Sequence, residues 1–576
     1  MHDLVIRNGR VVDGTGAAPY QADVAVVGGR ITEVGAVDGA ARREIDADGL
    51  LVTPGVVDIH THYDGQALWD GDLTPSCWHG VTTVVMGNCS VGFAPCAPDR
   101  RDWLMEMMES VEDIPASALR AGMAWDWESF PDYLDALGRR SRIMDVGTQI
   151  PHAAVRTYVM GERGARNEPA TPADIAAMAA IVREAMQAGA LGLSTSRTML
   201  HHTADGEPIA GTYAAEDELF GLGEVLRDLG TGLFEVVPAG VAGEDLDGPR
   251  REVGWLGRLA AHIGRPVCFL ITQNNAEPEA WRAILDEAAR VQAAGHELVV
   301  QVAGRPSGLL FGLGTTYHPL DDRPTFAAMR HLPAAEQAAR LRDPTVRAAI
   351  LAEEQTYDDD FRAFLRTRWD RMFPFADPID YEPGYEQSLA AIAAASGRAP
   401  AAVVLDAMAA DPGALFMAHI NNYAHGDAEA VREMLVHPAT ALGLADGGAH
   451  VAIVSDASMP TTMLTHWARD RSRGARLPLE FVVRRQTHDT ARLYGLHDRG
   501  TIAPGMLADL NVIDFDRLAV RRPELAWDLP GGARRLVQRA DGYVATIKRG
   551  EVTVSDDELT GAHPGEVIRG AARAAG

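Results

Sequence analysis

The chain has 576 residues and a formal net charge of −27, from 53 basic and 80 acidic side chains. This excess of acid argues against nucleic acid or an anionic membrane as the main partner. No apolar run approaches the ~18 residues of a membrane span, and the first residues lack the features of a signal peptide. Four cysteines are too few for a disulfide framework in so long a chain, so we expect a cytoplasmic protein.

The two ends of the chain have the same character. Both show short runs of alternating apolar residues separated by glycine-centred turns, at the spacing of β-hairpins. We therefore predict one small β-sandwich domain made from residues 1–55 plus 497–576.

Between these ends, apolar strand-like segments alternate with helix-like segments rich in alanine, leucine and arginine. Residues 171–190, which Thr171 would cap, and 277–295 are the clearest helices. Eight strands separated by helices favour a TIM-like (β/α)₈ barrel, an α/β fold, made from residues 56–303 plus 405–496. Residues 304–404 are predicted to be a helical insertion that could act as a lid. The strands are predicted at 56–62, 82–88, 145–152, 190–196, 232–238, 267–273, 297–303 and 440–448.

His60 and His62 end the first predicted strand, in "VVDIHTHYDG". Side chains at i and i+2 point to the same face of a strand, and two converging neutral imidazoles suit a transition metal. An isolated pair of this kind is more often two ordinary polar residues in a loop. A metal site is favoured here because the other predicted barrel strands also end in ligand-type residues, at the face where barrels carry their active sites. These residues are Asn88, Cys89, His152, Ser194, Arg197, Glu235, Gln273 and Asp446.

Several motifs together resemble the amidohydrolase superfamily, and more narrowly its N-acyl-D-amino-acid deacylase (D-aminoacylase-like) branch. They are "VTPGVVDIHTHYD", "GVTTVVMGNCSVGFAPC", "PHAAVR", "LGLADGGAH" and "RGTIAPGMLADLNVID". The resemblance implies a metal-bearing barrel beside a β-sandwich built from both termini. It also implies amide hydrolysis by metal-activated water, with Asp446 as the catalytic base. His152 would assist the metal in stabilising the oxyanion.

Many members of the superfamily bridge two metals with a carboxylated lysine, but the single lysine here, Lys548, lies outside the predicted barrel. In the D-aminoacylase-like branch a cysteine takes that position, which Cys89 matches. The branch also has histidines on its fifth and sixth strands, where this chain has Glu235 and Gln273. We expect one Zn²⁺ ion, with iron or manganese as alternatives. Its predicted ligands are His60, His62, Cys89 and Asp446, with Glu235 as either a further ligand or a hydrogen-bonding group.

The substrate-binding residues of the branch are not recognisable. The segment "STSRTMLHHTADGEPIAGTYA" replaces the expected one and contributes Arg197, His201 and His202. Arg197 could bind a substrate carboxylate or belong to a salt bridge at the rim. The further candidates for substrate contact are Gln273, His419, Asn421, Asn422 and His450.

We therefore predict a metal-dependent hydrolase that cleaves a non-peptide C–N bond of a small-molecule amide, most simply an N-acyl-amino acid. One alternative is another reaction of the superfamily at a rebuilt mononuclear site, namely cyclic-amide opening, deamination or decarboxylation. The other is a non-catalytic assembly protein, which would have lost the paired histidines and the aspartate that this chain retains. The substrate, its stereochemistry and the oligomeric state stay open, a homo-oligomer included.

Overall fold

The computed structural model describes residues 1–353 and 360–570. Eight strands pair in parallel in chain order, and a parallel bridge between Thr61 and Gly447 brings the eighth strand back to the first. The predicted (β/α)₈ barrel is confirmed. Its strands are Val56–Asp58, Val81–Met86, Asp145–Thr148 with Ile150–Pro151, Gly192–Ser196, Leu233–Val237, Val267–Leu270, Leu298–Ala303 and Thr440–Gly443.

Helices surround this barrel. The predicted helices are present as Pro172–Ala188 and Ala280–Ala293, and the first begins with a capping box between Thr171 and Asp174. The remaining helices of this layer are Arg101–Glu112, Ala116–Gly122, Phe130–Gly138, His152–Met160, Glu162–Ala165, Glu216–Leu229, Gly248–Ile263, Glu429–Val436, Met459–Thr462, the π-helical Met463–Asp470, Leu479–Gln486 and His488–Leu493.

Alternate residues of the barrel strands belong to two different cores. Val57, Val85 and Leu233 pack together in one cluster, whereas Val56 and Val84 pack in the larger cluster that includes the helices. Both faces of each strand are therefore buried, which explains why the strands read as continuous apolar runs.

The β-domain predicted from both termini is confirmed, and hydrogen bonding joins its strands into a single nine-stranded sheet. The two ends of the chain meet where Leu51–Pro54 pairs antiparallel with Leu510–Ile513. The other strands of the sheet are His2–Val11, Tyr20–Val27, Arg30–Gly35, Ala41–Asp46, Tyr543–Lys548, Glu551–Ser555 and Glu558–Leu559.

Buried charges join this sheet to the barrel. The Nζ atom of Lys548 lies 2.8 Å from Asp145, on the third barrel strand, and 2.7 Å from Asp509. Arg499 also contacts Asp145, at 2.6 Å. The only lysine of the chain is thus committed to a structural ion-pair network, in agreement with the exclusion of a lysine-bridged metal pair.

The insertion between the seventh and eighth barrel strands is larger and more varied than predicted. It contains a three-stranded antiparallel sheet formed by Ser307–Phe311, Met372–Pro374 and Phe416–Asn421. It also has its own apolar core, to which the helix Pro400–Ala410 contributes. Both features extend beyond the boundary predicted at residue 404. The other helices of the insertion are Pro324–Ala327, Ala334–Leu341, Pro344–Ala352, Asp360–Thr367 and Leu389–Ser396.

The insertion is fastened to the barrel at several points. Glu382 of the insertion accepts two hydrogen bonds from Arg471, at 2.9 and 3.0 Å. The Leu310 N–H donates to the Ile453 carbonyl oxygen at 2.7 Å. These contacts hold the insertion over the loop that follows the eighth strand.

No single helix in the described ranges is long and apolar enough to cross a membrane. Leu389–Ser396 and Pro400–Ala410 meet the length and composition criteria only as a pair, and that pair is bent by 96°.

Candidate metal centre

His60 and His62 lie just beyond the first barrel strand, which ends at Asp58 rather than at the predicted residue 62. Beyond Asp58 the backbone pairs instead with the loop after the eighth strand. The His62 N–H donates to the Gly447 carbonyl at 2.7 Å, and the Asp446 N–H donates to the His60 carbonyl at 3.0 Å. The two imidazoles are each 1% exposed, with ring centroids 5.4 Å apart. The strand pairing therefore places both histidines and Asp446 at one end of the barrel.

Cys89 reaches the same point through a strained turn after the second strand. Cys89 and Ser90 have φ values of +58° and +69°, a conformation that costs about 1–3 kcal/mol for such residues. The Cys89 N–H donates to Glu235 at 3.2 Å, and its Sγ lies 3.3 Å from Nε2 of His60. The ligand atoms of His60, His62 and Cys89 all lie within 4.8 Å of one another.

Asp446 completes the group. Its Oδ1 lies 3.5 Å from Nε2 of His60 and 3.8 Å from Nε2 of His62. Four atoms that bind zinc tetrahedrally at ~2.0–2.3 Å are about 3.3–3.8 Å apart, by the geometry of the tetrahedron. Three separations among these donor atoms, at 3.3, 3.5 and 3.8 Å, match that range. Asp446 is also the accessible member, because 22% of its side chain is exposed.

The protonation chemistry of these groups suits a cation. Burial lowers the pKa of His60 to about 4 and that of His62 well below its usual value, so both imidazoles are neutral near pH 7. Burial, followed by the charge of Glu235, raises the pKa of the Cys89 thiol. Burial likewise raises the pKa of Asp446. Neutral imidazoles beside two groups that a cation would ionise form a donor set appropriate for a divalent metal.

Glu235 lies behind Cys89 rather than among the converging atoms. One carboxylate oxygen accepts the Cys89 N–H, and the other is buried without a hydrogen-bond partner. Burial raises its pKa to about 8. These contacts support the hydrogen-bonding role for Glu235, and its role as a direct ligand stays a prediction.

Two residues that contact the histidines were not predicted from the sequence. Oε1 of Gln301, on the seventh strand, lies 3.0 Å from Nδ1 of His60. Oε1 of Glu112, at the end of the helix Arg101–Glu112, lies 3.4 Å from Nδ1 of His62. A glutamine inside the apolar run "LVVQVA" was a usable signal for the first residue. Glu112 had none, because nothing in its helix distinguishes it from the exposed Glu106 and Glu109.

His152 does not have the surroundings of an oxyanion-stabilising group. Its Nδ1 lies 2.8 Å from Thr195 Oγ1 and its Nε2 lies 2.9 Å from Glu218, so both ring nitrogens are occupied. Glu218 also pairs with Arg156. The geometry thus gives no support to the predicted catalytic role, since His152 is held in a buried structural network.

Arg197 and Gln273 are also held by protein groups. Arg197 donates to Glu252 at 2.8 Å and to the Ala214 carbonyl at 2.8 Å, which is the rim salt bridge named above as the alternative. The Gln273 side chain accepts the Ala424 N–H at 3.0 Å and donates to the Pro278 carbonyl at 3.3 Å. These contacts support roles in loop attachment, and the substrate contacts predicted for both side chains stay predictions.

The remaining histidines divide by location. Nδ1 of His201 is hydrogen-bonded to the Ser196 hydroxyl, at 2.9 Å. Burial, together with the charges of His450 and His60, lowers the pKa of His201 to about 3. His450 is 32% exposed and faces Glu112 at 3.5 Å. His202 is exposed and contacts Ser110 at 3.2 Å. His201 and His450 therefore adjoin the centre, whereas His202 lies on the surface.

His419, Asn421 and Asn422 belong to the insertion. His419 lies in the strand Phe416–Asn421 and packs against Tyr423, with ring centroids 4.3 Å apart. Asn422 exchanges hydrogen bonds with the backbone of Gln273, at 2.7 and 2.9 Å. We find a structural function for Asn422, and the substrate contacts predicted for His419 and Asn421 stay predictions.

Comparisons with known proteins agree with this architecture. The profile described as "Amidohydrolase family" matches residues 43–554. D-aminoacylase of Alcaligenes xylosoxydans xylosoxydans is 28% identical over 574 residues, which are 98% of this chain and 97% of that protein. N-acyl-D-glutamate deacylase of the same organism is 27% identical over 543 residues, 92% of this chain and 90% of that protein.

Solved structures show the same fold. A D-aminoacylase structure superposes with a TM-score of 0.65 at 24% identity, over 99% of this chain and 100% of that chain. N-acyl-D-glutamate deacylase from Bordetella bronchiseptica, complexed with zinc and a phosphonate inhibitor, also gives a TM-score of 0.65, at 23% identity and over 99% of both chains. Because the family profile spans most of the sequence, the chain belongs to the amidohydrolase family, and it is D-aminoacylase-like.

Proposed function

We propose that the protein is a metal-dependent hydrolase that cleaves a non-peptide C–N bond of a small-molecule amide. The observation that carries this proposal is the convergence of His60, His62 and Cys89 at one end of the barrel, with donor atoms within 4.8 Å of one another and an Asp446 oxygen 3.5 and 3.8 Å from the two imidazoles. Membership of the amidohydrolase family supports the same reaction class. We also propose that the protein works in the cytoplasm, where its four free, buried cysteines would stay reduced.

We propose one zinc ion as the cofactor, held by these four side chains. Zinc accepts nitrogen, sulfur and oxygen ligands together, and a thiolate favours it over magnesium or calcium. A second ion would need further ligands on the fifth and sixth strands. Gln273, three residues beyond the sixth strand, is bound to backbone groups, and Glu235 on the fifth holds the Cys89 turn.

A divalent ion at this position would polarise the substrate carbonyl and lower the pKa of water. The chain itself supplies proton transfer through Asp446, whose partly exposed carboxylate faces the space between the two imidazoles. Its oxygen is placed to accept a proton from the attacking water and to donate it to the departing nitrogen. The backbone bond from Asp446 to His60 keeps that carboxylate in position.

For the substrate we propose an N-acyl-amino acid, the class named in the relatives D-aminoacylase and N-acyl-D-glutamate deacylase. One observation favours a second candidate, a different amide such as a cyclic one. Arg197, which could bind a substrate carboxylate or belong to a salt bridge, is paired with Glu252. An amide substrate without a free carboxylate would not require that arginine.

The test combines elemental analysis of the purified protein with a hydrolysis screen. The screen contains D- and L-N-acyl-amino acids, cyclic amides, and amines from which deamination would release ammonia. One zinc per chain with turnover of an acyl-amino acid is the expected result. Zinc with turnover of only a cyclic amide or an amine would favour the second candidate. Absence of metal would overturn the proposal and favour the non-catalytic role.

A further inference from the structure

The two metal-facing histidines require partners for their other ring nitrogens. A histidine that binds a metal through one nitrogen generally donates the N–H of the other to a carboxylate, a carbonyl or water, which fixes its tautomer and orientation. Gln301 provides such an acceptor for Nδ1 of His60, at 3.0 Å. In the described part of the chain Nδ1 of His62 is buried without an aligned hydrogen bond. A carboxylate oxygen of Glu112 lies 3.4 Å from that atom.

Glu112 occupies an unusual position for a glutamate. It is 2% exposed, and across residues 1–353 and 360–570 its recorded ion-pair partners are histidines, with no arginine or lysine. A buried carboxylate is costly unless it has a specific partner. The free-energy cost of burying the Glu112 carboxylate is explained if Glu112 hydrogen-bonds to a histidine of the metal centre.

The same residue also reaches the loop after the eighth strand. Its second carboxylate oxygen lies 3.5 Å from Nε2 of His450, and its carbonyl oxygen accepts the His450 N–H. Glu112 thereby joins His62 of the first strand to the loop that carries Asp446. Its helix stops here, because Asp113 adopts a left-handed conformation with φ of +52°.

We propose, on the basis of the hydrolase function above, that Glu112 is the positioning residue of the centre. Its carboxylate accepts the Nδ1–H of His62, so that Nε2 of His62 faces the ion, and it holds His450 at the rim. Loss of this acceptor should raise the zinc dissociation constant by about 10–100-fold, the usual effect of removing such a partner.

Three variants test the proposal. Glu112→Met removes the acceptor at similar volume, whereas Glu112→Gln keeps an acceptor of the kind that Gln301 offers to His60. Glu106→Gln is the matched control, because Glu106 is exposed on the same helix. We would measure zinc affinity by chelator competition and the visible spectrum of each cobalt-substituted protein, with circular dichroism as the folding check.

The expected result is weaker zinc binding and an altered cobalt spectrum for Glu112→Met, partial recovery for Glu112→Gln, and wild-type behaviour for Glu106→Gln. Wild-type affinity and spectrum in Glu112→Met would overturn this inference and leave the hydrolase proposal standing. A wild-type protein that binds no metal would overturn both. If Glu112→Met does not fold, a crystal structure of the zinc-loaded wild type decides: the 3.4 Å separation should shorten into hydrogen-bond range, and a distance of about 3.6 Å or more between Glu112 and His62 Nδ1 would exclude the hydrogen bond.

Discussion

Substitution of Asp446 by asparagine is the most direct test of the proposed chemistry. Asp446 has φ of +47°, a left-handed conformation that asparagine tolerates better than most residues. Its backbone hydrogen bond to His60 does not depend on the side chain. The Asp446→Asn variant should therefore keep the turn and lose the carboxylate that accepts the proton, while the proposed zinc ligand becomes a neutral amide.

The size of the effect follows from the surroundings of Asp446. A general base contributes about 10²–10⁴-fold to rate. The two other buried carboxylates described at this centre face elsewhere, Glu235 toward the Cys89 N–H and Glu112 toward His62 and His450. Neither can replace Asp446, so we expect kcat to fall by about 10³–10⁴, equivalent to about 4–5.5 kcal/mol.

The assay is kcat on the substrate found in the screen, measured at saturating zinc so that weakened metal binding does not contribute. Asp102→Asn is the control, an exposed acid on the helix Arg101–Glu112 whose surface pair with Arg120 contributes little. A kcat for Asp446→Asn within tenfold of wild type would refute the assignment of Asp446 as the base.

Three further predictions concern the metal and the link between the domains. Cys89→Ala should lose zinc on dialysis, with a zinc dissociation constant raised by more than about 100-fold. The loss of a direct ligand should cost more than the loss of a residue that only hydrogen-bonds to a ligand. Retention of one zinc per chain would contradict the assignment of Cys89 as a ligand. Lys548→Met removes the buried ion-pair partner of Asp509 and one partner of Asp145, which keeps Arg499. It should lower the free energy of unfolding by about 3–5 kcal/mol in urea titrations, so a loss below about 1 kcal/mol would count against the network. Burial alone would raise the pKa of Asp145, but the charges of Lys548 and Arg499 outweigh burial and lower it. An aspartate in the unfolded chain has a pKa of about 4, so the contribution of Asp145 to the free energy of unfolding should be complete above about pH 4 and be lost as the pH falls further. Urea titrations that show no loss of stability below about pH 4 would contradict this.

Local sequence patterns were sufficient for much of the fold. Parallel barrel strands buried on both faces appear as apolar runs, and their polar ends mark the active-site face. His60, His62, Cys89 and Asp446 could be predicted for this reason, since each lies at the end of a strand or in the turn that follows. The three-stranded sheet in the insertion was missed because Ser307–Phe311 pairs with Phe416–Asn421, about a hundred residues away.

Three residues predicted for catalysis or substrate binding show the opposite case. Arg197, Gln273 and His152 have the right chemical character and the right position in the chain, yet protein groups occupy their polar atoms. The sequence shows that a side chain can form a hydrogen bond, but not which partner satisfies it.

The barrel, the β-domain shared by both termini and the four candidate ligands could be predicted from strand periodicity, from the residues that follow strand ends and from the resemblance to the amidohydrolase superfamily. The groups that surround those side chains are seen in the folded chain alone. Glu112 comes from a helix end and Gln301 from a strand across the barrel, and each meets its histidine through packing between distant segments. Such contacts leave no local pattern, since folding alone brings the partners together.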